Sequence, residues 1–187
     1  MTYQDNDLQI IRRIAANDEN ALQDLYVIYG QRMYALALRL TCDPGLADEA
    51  IQESLVTIWQ KASHFRGDGR LIAWLLSIVH HKAFSLLRQK PTSSLDDHDN
   101  EPASDAPSPD RLVVMAEQRQ VVHTGLSQLS TEHRAVLELV FYQGLSLNEV
   151  AEVCGCPVGT VKSRLSYAKN MLRGLLNRQG IDAEDVE

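Results

Sequence analysis

The segment from Val158 to Arg178 carries several basic side chains and no acidic one. Lysine and arginine neutralise nucleic-acid phosphates, and an arginine can also donate two hydrogen bonds to a guanine edge. Side chains in the first turns of a DNA-binding helix reach the bases, whereas later ones meet the backbone. The candidate base readers are Thr160, Lys162, Ser163, Arg164 and Tyr167, and the candidate phosphate contacts are Lys169 and Arg173. We therefore predict a DNA-binding helix here, with Arg164 as its best base reader.

The residues before this segment predict the first half of a helix-turn-helix. Ser146 and Glu149 have the S-x-x-E spacing of a capping box, which opens a helix. Gly155 suits the left-handed turn that ends that helix, and Pro157 is tolerated in the first turn of the next one. An ordinary pair of helices with a basic, solvated face is the alternative interpretation. The cap, the glycine and the acid-free helix, in this order, favour the helix-turn-helix.

A second candidate surface for nucleic acid is a glycine-rich loop with the helix that follows it. The glycines would let a single strand approach closely, and the arginines would neutralise its phosphates. The candidate residues are Arg66, Gly67, Asp68, Gly69 and Arg70 in the loop and His81, Lys82, Ser85 and Arg88 in the helix. Asp68 would either accept hydrogen bonds from a base edge or cap the helix. Taken one at a time, these residues fit a solvated helix face equally well.

An acidic face is predicted on the helix that precedes this loop. Its residues lie off the apolar stripe of that helix and are Asp48, Glu49, Gln52 and Glu53. Carboxylates would repel phosphate. The face therefore suits a basic protein partner rather than DNA.

The periodicity of apolar residues predicts an all-α fold. Apolar residues recur at intervals of three and four, and no segment alternates as a strand would. The expected helices run from Asp7 to Ala16, Glu19 to Thr41, Leu46 to Ser63, Leu71 to Gln89, Arg111 to Leu126, Thr131 to Tyr142 and Val158 to Arg178, with one more between the capping box at Ser146 and the turn at Gly155. Residues 91–110 hold four of the six prolines and a single large apolar residue, which predicts a flexible acidic linker. We therefore expect two small helical domains, residues 1–90 and 111–187, joined by that linker.

The net charge of −7 argues at first against a nucleic-acid binder. Residues 91–110, however, contain six Asp or Glu and no Lys or Arg, so the basic helix keeps its local positive charge. Three cysteines without a framework spacing indicate a reducing compartment. The N-terminus has no signal-peptide pattern, and no apolar run reaches the length of a bilayer span. We expect a cytoplasmic protein.

Enzyme functions find little support in the sequence. Cys154 and Cys156 are too closely spaced for a zinc knuckle, and a role in the core of the turn is favoured over metal binding. His80 and His81 are adjacent, so their side chains point about 100° apart on a helix and do not chelate together. A recombinase would need a serine or tyrosine nucleophile motif, which the N-terminal half does not show. We predict no catalytic residue, no cofactor and no metal.

Two ordered sets of motifs resemble bacterial RNA polymerase sigma factors. The first set resembles their second region and comprises residues 47–53 with Trp59, residues 65–67, residues 73–78 and residues 86–88. The second set resembles their fourth region and comprises residues 129–130, 136–137, 144–146, 149–151 and 159–165. The length and the bare linker are similar to the extracytoplasmic-function (ECF) group of the sigma-70 family. His80 and His81 depart from the usual pattern, because Arg or Asn is common there.

The resemblance implies a function and a set of partners. Such a protein binds core RNA polymerase through the acidic face, reads the minus-ten element with the loop and following helix, and reads the minus-thirty-five element with the helix-turn-helix. No segment outside the two domains looks able to mask the DNA-binding helices, so we also expect an anti-sigma factor. The chain would act as a monomer or in a 1:1 complex. The rival interpretation is a two-domain regulator that binds an operator as a dimer, with residues 1–90 as a sensor.

Overall fold

The computed structural model describes residues 3–67, 69–89 and 128–178. Every regular element in these ranges is helical. The helices are α1 (Tyr3–Ala15), α2 (Glu19–Thr41), α3 (Pro44–Lys61), α4 (Leu71–Gln89), α5 (Thr131–Leu137), α6 (Leu147–Cys154) and α7 (Val158–Arg178), with a 3₁₀ turn at Ala62–His64 and a π-helical segment at Glu138–Tyr142. The predicted linker, the predicted helix from Arg111 to Leu126 and Asp68 lie outside the described residues.

The N-terminal domain is a bundle in which α2, α3 and α4 pack against one another and α1 closes one side. Asp18 caps α2, since its carboxylate accepts a hydrogen bond from the Asn20 amide. Leu25, Met33 and Leu75 are fully buried in the bundle core. Burial of such side chains away from water is the main favourable term for a bundle of this size.

The third helix starts two residues earlier than the sequence predicted. Asp43 accepts a hydrogen bond from the Leu46 amide at 3.1 Å, and Pro44 occupies the first helical turn. Ile58 is fully buried on the inner face of this helix, whereas Trp59 is only half-buried at the edge of the core.

The C-terminal domain contains α5, the π-helical segment, α6 and α7. The helix predicted from Thr131 to Tyr142 is interrupted, since its last five residues form the π-helical segment. Leu129, Leu137 and Ala168 form a small apolar cluster that joins α5 to α7. The long basic helix is thereby fixed along its second half as well as at its start.

The two domains are in contact. α4 packs against α6, and α2 packs against α5 and the π-helical segment. Buried residues of both domains belong to one continuous apolar cluster. At the sequence level only segments outside the two domains were considered as possible covers, whereas in the structure the N-terminal domain itself covers part of the C-terminal one.

Candidate nucleic-acid interface

The helix-turn-helix has the geometry that its sequence predicted. The Ser146 backbone amide donates to the Glu149 carboxylate at 2.7 Å, and the Glu149 amide donates to the Ser146 hydroxyl at 3.3 Å, which completes the capping box. Gly155 lies at φ 61°, the left-handed conformation that ends α6. The Cys156 amide then donates to the Ala151 carbonyl at 3.0 Å. These local bonds set the position at which α7 begins.

Most of the predicted DNA-reading side chains of α7 face solvent. Val161 and Ala168 are fully buried and orient the helix. The exposed members of the predicted set are Lys162, Ser163, Tyr167, Lys169 and Arg173, whereas Thr160 and Arg164 are half-buried. The exposed part of α7 thus offers three cations, a hydroxyl and a phenol, a suitable composition for contacts to phosphates and base edges.

Two aromatic contacts hold the polar face of α7 in place. The Tyr167 ring lies 4.6 Å from the His133 ring, measured between centroids, although the Tyr167 side chain remains 56% exposed. The Lys169 ammonium lies 5.9 Å from the centre of the Phe141 ring. Both contacts orient side chains without covering them, so these groups stay available to a ligand.

Arg164 is half-buried and lies close enough to α4 of the N-terminal domain to act on a titratable group there. Its charge helps to hold the pKa of His80 in α4 at about 4, after the larger effects of burial and of the neighbouring His81. His80 is 8% exposed, and its Nδ1 atom has no hydrogen-bond partner among the residues that the structure describes. The structure therefore places the predicted best base reader at the edge of the contact between the domains.

The loop before α4 is exposed at Arg66, Gly67, Gly69 and Arg70. Gly67 adopts φ 80°, and a Cβ atom there would come within 3.0 Å of the Leu8 side chain. A side chain at this position would therefore be strained both by the backbone and by its neighbour. Arg70 reaches the C-terminal domain, where it donates to the Gly144 carbonyl at 3.2 Å.

The four predicted side chains of α4 differ in their freedom. His81 and Arg88 are exposed, and the His81 Nδ1 atom lies 2.6 Å from the Ser77 carbonyl oxygen. Ser85 accepts a hydrogen bond from the Gln89 amide at 3.2 Å. Lys82 forms an ion pair of 3.1 Å with Glu53. That ion pair joins the predicted DNA surface of α4 to the predicted protein-binding surface of α3.

The acidic face of α3 is present, and it contains a residue that the sequence prediction missed. Asp48, Glu49 and Gln52 are exposed, and Glu53 is half-buried. Val56 lies one turn further along the same face and is 56% exposed. The sequence contained a signal for it: Val56 follows Gln52 by four positions and Glu53 by three, so it lies on their side of the helix and off the buried stripe. A protein partner would bury Val56 together with the carboxylates.

Cys154 and Cys156 are free and half-buried in the turn of the helix-turn-helix. Burial, with a smaller effect of Cys156, raises the pKa of the Cys154 thiol to about 12. A thiol that stays protonated at neutral pH is unreactive, because the thiolate is the nucleophile. Cys154 therefore has the environment of a small apolar group in the turn.

None of the helices in the described ranges combines the length and apolar character that a bilayer span requires.

Comparison with known families and relatives is consistent with this arrangement. The family described as "Sigma-70 region 2" matches residues 25–91, and "Sigma-70, region 4" matches residues 125–174. The RNA polymerase sigma-H factor of Pseudomonas aeruginosa is 30% identical over 182 residues, which cover 92% of this chain and 94% of that protein. The ECF RNA polymerase sigma factor SigK of Mycobacterium tuberculosis is 30% identical over 174 residues, covering 90% of this chain and 92% of SigK.

Solved structures share the fold. The sigma factor RpoE of Bartonella quintana, solved in complex with the anti-sigma factor NepR, superposes with a TM-score of 0.69 at 25% identity and covers 83% of this chain and 96% of that one. CnrH, solved with the cytosolic domain of CnrY, gives a TM-score of 0.67 at 23% identity over 92% of this chain and 97% of that one. Since both sigma-70 regions are present in order and relatives match along nearly the whole length, this chain belongs to the ECF group of the sigma-70 family of RNA polymerase sigma factors.

Proposed function

We propose that the chain is a transcription initiation factor that binds core RNA polymerase, directs it to specific promoters and assists their melting. The observation that carries the proposal is the exposed face of α7, which has basic side chains and no acidic ones and follows the capped helix α6. The N-terminal domain has an acidic face on α3, which suits a protein partner and not DNA. It acts in the cytoplasm, and it is not an enzyme. The domain assignment that accompanies the proposal is 1–90 for region 2, 91–110 for the linker and 111–187 for region 4.

We assign the minus-thirty-five element to the C-terminal domain. A helix-turn-helix reads bases with the first turns of its second helix, and those turns here hold Lys162, Ser163 and Arg164. Tyr167 and Thr160 lie beside them, and Lys169 and Arg173 follow at the positions expected to meet phosphates. Phosphate contacts fix register, whereas contacts to bases give sequence preference.

We assign the minus-ten element to the loop and the outer face of α4. Arg66 and Arg70 with Gly67 and Gly69 form an open, cationic approach, and His81 and Arg88 continue it along the helix. Lys82 and Ser85 lie between them, and Asp68 belongs to the same loop by sequence. A melted strand needs both phosphate neutralisation and room for unstacked bases, which exposed glycines and short side chains provide.

We assign core polymerase to the outer face of α3. Asp48, Glu49, Gln52 and Glu53 would face a basic surface, and Val56 would be the apolar contact at its centre. Apolar groups surrounded by charges are typical of protein interfaces, because the charges give orientation and the apolar contact gives affinity.

We also propose an inhibitory partner. The Bartonella quintana relative was solved with an anti-sigma factor, and the present chain shares its fold. We expect an anti-sigma factor to bind this chain in a 1:1 complex and to block polymerase binding. Coexpression with neighbouring genes would reveal a small protein that copurifies in equal amounts and stops run-off transcription.

The test of the proposed function is run-off transcription with purified core polymerase on a pool of genomic promoter fragments. The chain should comigrate with core polymerase and yield discrete transcripts that core alone does not make. A regulator that binds an operator as a dimer would instead shift DNA without polymerase and would add no transcripts. That second outcome would overturn the proposal.

Replacement of Arg164 by alanine should change which promoters are used. A bidentate contact between arginine and guanine discriminates by about 1–3 kcal/mol, so preference at one position of the minus-thirty-five element should relax by about fivefold to a hundredfold. Lys169→Ala is the matched control, because loss of a phosphate contact weakens all promoters alike. Sequencing of transcripts from a randomised promoter library measures both effects. An unchanged preference in Arg164→Ala would remove Arg164 from the base-reading set.

A further inference from the structure

A buried polar network crosses the contact between the two domains. Arg32 of α2 donates from Nε to the Gln143 side-chain oxygen at 2.9 Å and from Nη2 to the Gln143 backbone carbonyl at 2.6 Å. The Gln143 side-chain amide donates in return to the Arg32 carbonyl at 3.3 Å. Gln143 is only 5% exposed. Three bonds between one arginine and one glutamine, far apart in sequence, fix a single relative position of the two domains.

Glu138 is a buried carboxylate that needs a cation from the other domain as long as the two domains are in contact. Its carboxylate is 3% exposed and accepts a hydrogen bond from Gln143 Nε2 at 3.1 Å. The cation that pairs with it is Arg39 of the other domain, whose Nε lies 3.3 Å from the carboxylate. A buried carboxylate is stable only when it is paired. Within the described residues, the partner cation of Glu138 is supplied from across the contact.

The apolar part of the contact lies between α4 and α6. α4 is buried on two sides: Leu75 and Val79 face the N-terminal core, whereas Ala73 and His80 lie on another face and are each 8% exposed. Apolar side chains on a helix face indicate that this face packs against a partner. The second buried side of α4 is explained by the C-terminal domain that packs on it.

The contact between the domains involves residues that we assign to DNA binding. Arg70 is bound to the Gly144 carbonyl and lies 3.7 Å from the Glu149 carboxylate. Arg164 lies near His80, as described above. Each domain therefore has one candidate DNA-contacting arginine close to the shared surface.

The closed arrangement is also too short to span a promoter. The minus-ten and minus-thirty-five elements lie about 25 base pairs apart, which is about 85 Å at 3.4 Å per pair. Two touching domains with radii of gyration of about 12 Å have centres only about 30 Å apart.

We propose that Arg32, Arg39, Glu138 and Gln143 form an intramolecular latch that keeps the free sigma factor closed and unable to read both promoter elements. The latch rests on the proposed function and adds a layer of control to it. Core polymerase, or a promoter bound on it, must open the latch, and the buried charges become solvated when the domains separate. Premature DNA binding by free sigma factor is thereby suppressed.

Arg39→Ala is the most direct test. It leaves the Glu138 carboxylate buried and unpaired in the closed state only, because water solvates it in the open state. Breaking one partner of a buried ion pair is strongly unfavourable, so the balance should move towards the open state by at least about tenfold. Arg12→Ala removes an exposed arginine of α1 and is the matched control.

The double variant Arg39→Ala/Glu138→Gln distinguishes a latch from general damage. A neutral amide at position 138 no longer needs the cation and can still contact Gln143, so closure should recover in part. Non-additivity of this kind is the signature of a direct pair.

Small-angle X-ray scattering of the full chain measures closure, and binding to a promoter fragment found in the run-off assay measures its consequence. The latch predicts a larger radius of gyration and about tenfold tighter DNA binding for Arg39→Ala, with wild-type behaviour for Arg12→Ala. Equal radii for all variants, or an already extended wild type, would overturn the latch even when wild-type chain supports run-off. Absence of run-off from every promoter would overturn the proposed function instead, and the scattering result would still decide on closure.

Discussion

Replacing Asp48 and Glu49 by lysine should abolish binding to core polymerase while the chain stays folded. Both side chains are exposed, and neither belongs to the apolar stripe that contains Ile51 and Ile58. A lysine at either position would repel a basic partner that the native carboxylate attracts. Like charges brought together at an interface cost several kcal/mol of binding free energy. We therefore expect a loss of core affinity of at least about a hundredfold, with the same loss in run-off transcription.

The position of Glu53 decides how this experiment is built. Glu53 pairs with Lys82 at 3.1 Å, so a lysine there would also disturb α4 and blur the result. The variant set is therefore Asp48→Lys/Glu49→Lys, the single variant Glu49→Lys, and the exposed Glu19→Lys of α2 as control. Circular dichroism monitors folding, and a pull-down with core polymerase measures binding. Normal binding by the folded double variant would show that core polymerase docks elsewhere.

Three helices have the ends that the sequence predicted. α2, α4 and α7 begin and end at the predicted residues. α7 follows the capping box of Ser146 and the left-handed Gly155, both of which act through bonds between near neighbours. Such signals are readable because they depend on residues only a few positions apart.

The misplaced start of α3 shows how one local signal can support two structures. Asp43, Pro44 and Gly45 have the composition of a turn, which is how the sequence was interpreted. The same Asp followed by Pro also fits an N-cap and a first helical turn, and that is what the structure contains. Sequence alone did not decide between them.

Local sequence patterns could not predict the contact between the domains. Arg32 and Gln143 are separated by 111 positions, and no periodicity links them. The available clue was α4, whose apolar residues surround too much of the helix for a single core. His80 belongs to the same buried surface, although at the sequence level it was considered only as a metal ligand. The same contact explains why Arg70, predicted as a DNA contact, donates a hydrogen bond to the Gly144 carbonyl.

His80 should make closure of the chain sensitive to pH. Burial, then His81 and Arg164, lowers the pKa of His80 from its ordinary value of 6.5 to about 4 in the closed state. The charged groups around the ring are His81 of α4, Glu132 of α5, which acts in the opposite direction, and Arg164 of α7. Between pH 6.5 and 4 the open state therefore binds a proton that the closed state excludes, and closure weakens as pH falls.

The expected size is about tenfold in the ratio of closed to open chain per pH unit below 6.5. Scattering or an interdomain distance measured at pH 7.5 and 5.5 should thus show opening at the lower pH, a range that stays above the ordinary pKa of carboxyl groups. His80→Gln removes the titrating group and keeps a neutral polar side chain, so its closure should be nearly constant across the same range. If wild type and His80→Gln open alike, another group is responsible. If neither opens, His80 is buried by its own domain and not by the contact between the domains, and closure does not depend on the protonation of His80.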